Sequence, residues 1–189
     1  IGYATIPFSL CHEIIRQKKK NLNIVGASQL WAASLLFASG CANRTQTGYS
    51  GGLLRRGFIT DLWREGKIQI EDYTNQCITL MLLAGALNIP YIPTRSLLGT
   101  DFLSQECIHS PKGFLGDRKY KLSKCPFTGE KIVLLPALKP DVSLWVAQRA
   151  DMEGNIQAWG GIGDARWAMM AAKKVIVSVE EIIPNEVIR

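Results

Sequence analysis

Residues 89–101 read IPYIPTRSLLGTD, and the course of the chain turns on how this stretch is read. An apolar, partly β-branched run, IPYIPT, has the composition of a buried strand. It meets Arg95, passes through a small-residue turn and ends on Asp101. A strand that runs straight into a polar turn is what the carboxyl edge of a parallel sheet presents to a ligand. The expectation is therefore a parallel strand whose far end, Arg95 to Thr100, faces a binding crevice.

Working backwards, the apolar period switches repeatedly between helix-like and strand-like. PFSLCHEIIRQKK (7–19) opens with Pro7, suited to a first helical turn, and repeats its apolar positions at three and four residues. LNIVG (22–26) reads as a short buried strand. SQLWAASLLFASG (28–40) offers Ser28 as an N-cap and Gly40 as a stop. NRTQTGYSGG (43–52) reads as extended and polar, LLRRGFITDLWREG (53–66) as a helix halted at Gly66, and KIQIED (67–72) as an alternating strand. YTNQCITLMLLAGALN (73–88) is a long apolar helix that delivers the chain to the opening stretch. Strict alternation of this kind predicts an α/β fold built on an open, mostly parallel sheet with helices on both faces.

Working forwards, the order breaks down over residues 97–129, which are rich in Gly, Pro, Ser and Lys and hold no period. A loop of this length inside a compact domain is expected to be an insertion with a function. Order resumes with strands at KIVLLPAL (131–138) and VSLWVAQRA (142–150), a turn at DMEGN, a short IQAW, a helix at DARWAMMAAKK (164–174) and a strand at VIVSVEEII (175–183). There is no internal repeat, and 189 residues suit one full-sized domain. The chain opens abruptly at Ile1, from which a missing natural N-terminal strand is expected.

Composition narrows the function classes. Hydrophobic residues make up 47% and charged residues 20%, ordinary for a globular protein, and no apolar run reaches the ~20 residues of a membrane span. The net charge of +6 would suit nucleic acid, an anionic surface or a phosphorylated ligand. Its densest run, RQKKKN (16–21), closes a helix and complements the helix dipole, and aromatics are not interleaved with the charges, so no nucleic-acid partner is expected. Five cysteines without CxxC spacing point to a reducing compartment, hence cytoplasm, with Cys11 and Cys77 as core residues. Two histidines, His12 and His109, give a metal site little to build from, and none is expected.

Three stretches fall at strand ends. In TGYSGG (47–52), Tyr49 and Ser50 offer hydrogen bonds, and Gly51 and Gly52 either let backbone N–H groups approach an oxygen or simply make a tight turn. In EDYTNQ (71–76), Asp72 or Thr74 caps the next helix, leaving Asn75 above the sheet. In the third, Arg95 either clamps a carboxylate or phosphate or bridges to Asp101 or another acid. No GxSxG elbow, GxxxxGK[ST] loop or complete GxGxxG occurs. GGIGDA (160–165) reads as a hairpin or loop, and Glu106 stands as a lone carboxylate. The residues give a crevice without a recognisable catalyst.

Taken in order, GYATIPFSLCHEIIRQKKKNLNIVG, EGKIQIEDYTNQ, LAGALNIPYIPTRSLLGTD, CPFTGEKIVLLPALKPDVSLWVAQRADMEGNIQAWGG and AAKKVIVSVEEIIPNEVIR resemble the A (alpha) chain of class I coenzyme A transferases of the glutaconate type. The resemblance covers nearly the whole chain. It implies the CoA-transferase-like (NagB-RpiA-like) fold over 1–189 as a single domain of that alpha type, shortened at its N-terminus and lacking a C-terminal extension. It also implies a B (beta) subunit as partner in a hetero-oligomer, with an acyl-CoA and a carboxylic acid as substrates. Coenzyme A is then a substrate, and no permanently bound cofactor is implied. The chemistry implied is ping-pong, with no catalytic residue in this chain because the glutamate nucleophile lies on the B subunit. Tyr49, Ser50, Gly51, Gly52, Thr74, Asn75, Arg95, Ser96, Gly99 and Thr100 would line the acyl pocket. The alternatives are a hydrolase subunit of the same fold that opens rings of CoA-linked substrates, and a non-catalytic CoA-binding subunit. The hydrolase branch places a glutamate near DYTNQ, where Thr74 and Asn75 stand here. A sugar-phosphate isomerase on a similar fold would need a phosphate cradle and paired acids that the sequence does not display.

Overall fold

The computed structural model describes residues 6–28, 30–55, 57–103 and 113–188. Its first half follows the predicted alternation: α1 (Phe8–Arg16), β1 (Leu22–Gly26), α2 (Leu30–Ala38), β2 (Ala42–Thr47), α3 (Ser50–Leu54), α4 (Gly57–Arg64), β3 (Gln69–Asp72), α5 (Asn75–Ala86) and β4 (Tyr91–Thr94). Then come β5 (Lys121–Lys124), β6 (Lys131–Pro136), β7 (Val142–Ala150), β8 (Ile156–Gln157), α6 (Ala165–Ala171), β9 (Lys174–Ile182) and α7 (Asn185–Ile188).

The helices stop where local geometry tells them to. Gly40 follows α2 at φ +65°, and the pair Gly40 N to Phe37 O (2.9 Å) and Cys41 N to Leu36 O (2.9 Å) closes a Schellman turn. Gly66 does the same for α4, with Lys67 N on Leu62 O at 2.9 Å. Two further helices end the same way without glycine. Lys18 (φ 54°) and Asn88 (φ 56°) take the left-handed position after α1 and α5. Thr74 caps the start of α5, its hydroxyl accepting from Cys77 N.

The strands form three small sheets. β1, β2 and β3 run parallel in that order, β6 lies between antiparallel β4 and β5, and β7 pairs parallel with β9 and antiparallel with β8. The α/β class and the parallel sheet are as predicted. β4 is not a parallel strand, however. It pairs Tyr91 with Pro136 and Thr94 with Val133 in the opposite direction to β6. Pro93 has no N–H to give a second neighbour, so this strand belongs at an edge. The 97–129 stretch, expected to be irregular throughout, holds β5 and two single-turn 3₁₀ helices, Asp101–Leu103 and Gly116–Arg118. Glu106, Cys107 and His109 lie outside the described residues.

Two cores hold the layers together. Cys11, Ala33, Leu36, Phe37, Leu53, Ile59, Ile68 and Ile70 bury α1, α2 and α4 against the parallel sheet. Tyr73, Cys77, Ile78, Met81, Leu82, Leu97, Val133, Leu135 and Ala171 join α5 to β6, α6 and the turn after β4. A Cβ on Gly85 of α5 would stand 1.9 Å from Leu138 O, so only glycine admits the chain leaving β6 this close to the helix. Among the described residues no helix is long and apolar enough to cross a membrane, and Cys11, Cys41, Cys77 and Cys125 are free thiols.

Candidate functional site

Because β1, β2 and β3 are parallel and in register (Gly26 beside Thr47, Thr47 beside Asp72), their carboxyl ends finish level with one another. The turns that leave them form a crest of polar backbone and short hydroxyl side chains. Asn75 is its keystone. With its carboxamide nitrogen turned inward, it donates to Ala27 O (3.0 Å) and Gly48 O (3.2 Å) and bonds Ser28 Oγ. The two carbonyls it faces dictate that orientation. One side chain thereby ties together the turns after all three strands. Gly48 makes the approach possible, since a Cβ there would lie 2.4 Å from the inward-turned end of the Asn75 carboxamide and 2.5 Å from its Cα.

The carboxylates around the crest are each committed to backbone or to a cation. Asp72 Oδ1 accepts from Ser50 N at 3.1 Å, fixing the start of α3. Asp164 Oδ2 accepts from Ala27 N at 3.0 Å, reaching across from the turn before α6. Glu71 is fully buried, accepts from Leu115 N at 2.8 Å and pairs with Lys119 at 2.9 Å. Lys119 also sits 5.2 Å from the Tyr73 ring centroid, and the Tyr73 hydroxyl donates to Lys119 O at 3.2 Å. Burial, with the charges of Glu71 and Cys77 adding to it, pushes the Tyr73 phenol well above its ordinary value.

The turn after β4 joins the crest through Ser96. Ser96 Oγ lies 3.5 Å from Cys77 Sγ, which lies 3.1 Å from Thr74 Oγ1. Leu97 is buried in the second core, and Thr100 donates back to Leu97 O at 2.7 Å, closing the turn on itself.

Of the ten residues singled out in the sequence, Tyr49, Ser50, Thr74, Asn75 and Ser96 stand on or beside the crest. Gly51 and Gly52 lie within the first turn of α3 rather than in a free loop. Arg95 turns to Glu130 in the β5–β6 hairpin, the bridging alternative with a different acid from Asp101. Gly99 and Thr100 belong to the closed turn beyond Leu97. Thr74 is the cap, whereas Asp72 serves Ser50. Sequence reasoning missed Asp164, Gly48, Cys77 and the Glu71–Lys119 pair as parts of this site. GGIGDA did carry a signal, an acid at the mouth of a helix, but its target lies 137 residues away.

The family profile described as Coenzyme A transferase matches residues 1–189. The A chain of 3-oxoadipate CoA-transferase from Pseudomonas knackmussii is 34% identical over 187 residues, 95% of this chain and 62% of that protein. The A chain of glutaconate CoA-transferase from Acidaminococcus fermentans is 31% identical over 192 residues, 97% of this chain and 60% of that one. The crystal structure of glutaconate coenzyme A-transferase from Acidaminococcus fermentans superposes with a TM-score of 0.79 at 30% identity, again covering 97% of this chain and 60% of its own. The chain thus spans about three-fifths of the length of these relatives.

Proposed function

The chain belongs to the coenzyme A transferase family, and from that premise we propose that it is the alpha-type half of a two-chain CoA-transferase. In this reading it helps move coenzyme A between an acyl-CoA and a carboxylic acid, and a B-type partner brings the attacking glutamate. The observation that carries the reading is the commitment of the crest's own acids. Asp72, Asp164 and Glu71 hold Ser50 N, Ala27 N and the Lys119–Leu115 segment. Freeing any of them would dismantle the crest, so none is suited to attack a thioester.

In the proposed cycle a partner glutamate oxygen attacks the thioester carbonyl, and the CoA thiolate leaves to give an acyl–glutamyl anhydride. The thiolate then attacks the glutamyl carbonyl, releasing the first acid and leaving an enzyme–CoA thioester. A second carboxylate reverses both steps. This chain would shape the acyl pocket with Tyr49, Ser50, Gly51, Gly52, Thr74, Asn75, Ser96 and the rest of the Arg95–Thr100 turn. Its fixed amides and hydroxyls suit the charge that develops on the thioester oxygen, because they need no reorganisation when it forms.

The test is borohydride reduction of the full-length chain co-purified with the B-type subunit of the same genome, after incubation with acyl-CoA. Peptide mass analysis is expected to find one reduced glutamate, on the partner. Reduction of a glutamate in this chain, or of none in either, overturns the reading.

A further inference from the structure

We infer that the outward face of the β4–β6–β5 sheet, out to the hairpin tip at Phe127, is the surface on which the B-type subunit docks. The inference rests on the reading proposed above and adds to it a place and a chemistry. Along β4 and β6 the side chains sort by register. Ile92, Val133 and Leu135 enter the second core, while Tyr91, Pro93, Ile132 and Leu134 point the other way. Together with Arg95 and Phe127 they line a groove of about 800 Å³. Tyr91 is 49% exposed and Phe127 93%. A run of large apolar groups of this kind, left in water, marks an interaction site.

Phe127 is held out stiffly. Cys125 N donates to Glu130 O (2.8 Å) and Gly129 N to Cys125 O (2.9 Å), and Arg95 pins Glu130 from just past β4. An aromatic presented on a pre-formed turn loses little freedom on binding, which suits it as an anchor. The groove is also contiguous with the crest. Arg95, which lines it, precedes Ser96, which bonds Cys77 beside Thr74. A partner that carries a carboxylate to the crest has to rest against the ground next to Ser96, and this face is that ground.

Charge selects the occupant. Lys124 lines the groove, Lys121 stands exposed beside Leu134, and the one acid of the lining among the described residues, Glu130, is already paired with Arg95. A second copy of this chain would set lysine against lysine, whereas a partner with an apolar centre and an acidic rim would complement it.

The experiment compares wild type with Phe127→Asp and Lys124→Glu, each as the full-length chain, for affinity toward the B-type subunit of the same genome and for amide hydrogen exchange. Phe127→Asp is expected to weaken association about tenfold or more, and Lys124→Glu to weaken it less and in a salt-dependent way. Melting temperatures of the free chains should stay level, and amides of 121–134 should gain protection on adding the partner. Three results overturn the inference: unchanged affinity in Phe127→Asp, a wild-type homodimer that this substitution dissolves, or 121–134 already protected before the partner is added. If Phe127→Asp assembles normally and the partner's glutamate is still trapped, the docking face is wrong and the transferase reading stands. If wild type neither assembles nor traps, both fall.

Discussion

Glu71 and Lys119 show how one pair of residues can commit a whole segment. Glu71 lies on a strand at the edge of the parallel sheet, fully buried, and Lys119 is only 16% exposed at its side chain. The pair holds the 113–119 stretch against β3, and Gly113 comes so close that a Cβ would stand 2.1 Å from the Glu71 oxygens. Charges this deep stabilise only while matched, because removing one leaves the other without water or partner. Lys119→Met should therefore cost about 3–5 kcal/mol in urea unfolding. The double variant Glu71→Gln/Lys119→Met, which removes both charges yet keeps an acceptor for Leu115 N, should recover most of that loss. Equal destabilisation in single and double variants would show that packing of the lysine stem, not charge pairing, holds the segment.

At the scale of elements, what was legible in the sequence was what is encoded locally. Gly40 and Gly66 announced the ends of α2 and α4, and the choice of Asp72 or Thr74 the start of α5, because a left-handed turn and a cap each need a particular residue within a few positions. Lys18 and Asn88 close α1 and α5 in the same geometry without that signal. The direction of β4 was not legible, since a four-residue strand shows its apolar composition but not its partner. β5 escaped notice because all four of its residues are exposed and KLSK has no buried face to betray it. The crest was half legible. The hydroxyls and Asn75 sit in turns that follow visible strands, while Asp164 and Lys119 come from remote parts of the chain and meet the crest only through the tertiary fold. Thr74 offers a test at this scale. Thr74→Ala should cost about 1 kcal/mol in chemical unfolding and raise hydrogen exchange in the first turn of α5. Thr74→Ser, which keeps the acceptor for Cys77 N, should lose far less, and if both lose equally the cap is not the source.

Across the whole molecule, acid should be felt most where a buried carboxylate fastens distant parts together. Asp151, at the end of β7, accepts from Asn155 N (2.8 Å), Asn155 Nδ2 (2.7 Å), Glu153 N (3.0 Å) and Asn185 Nδ2 (2.7 Å). It thus ties the β7–β8 turn to α7. Burial alone would raise its pKa, but the hydrogen bonds from Asn155, Asn185 and the Glu153 amide outweigh burial and lower it from 3.8 to about 2. A depressed carboxylate stabilises the fold in full above its unfolded value. That contribution is lost as pH falls from near 3.8 through about 2. The melting temperature of wild type should therefore drop across this window, and Asp151→Asn should flatten the drop. Glu13 titrates over an overlapping window, lowered from 4.5 to about 2 by Arg16 and Gln17, but it sits exposed on α1 and its pair is open to screening. Repeating the titration in about 1 M salt, where the Debye length shrinks to roughly 3 Å, should remove the Glu13 share and leave that of Asp151. A drop that vanishes with salt, or that persists unchanged in Asp151→Asn, would place the acid-sensitive contact elsewhere.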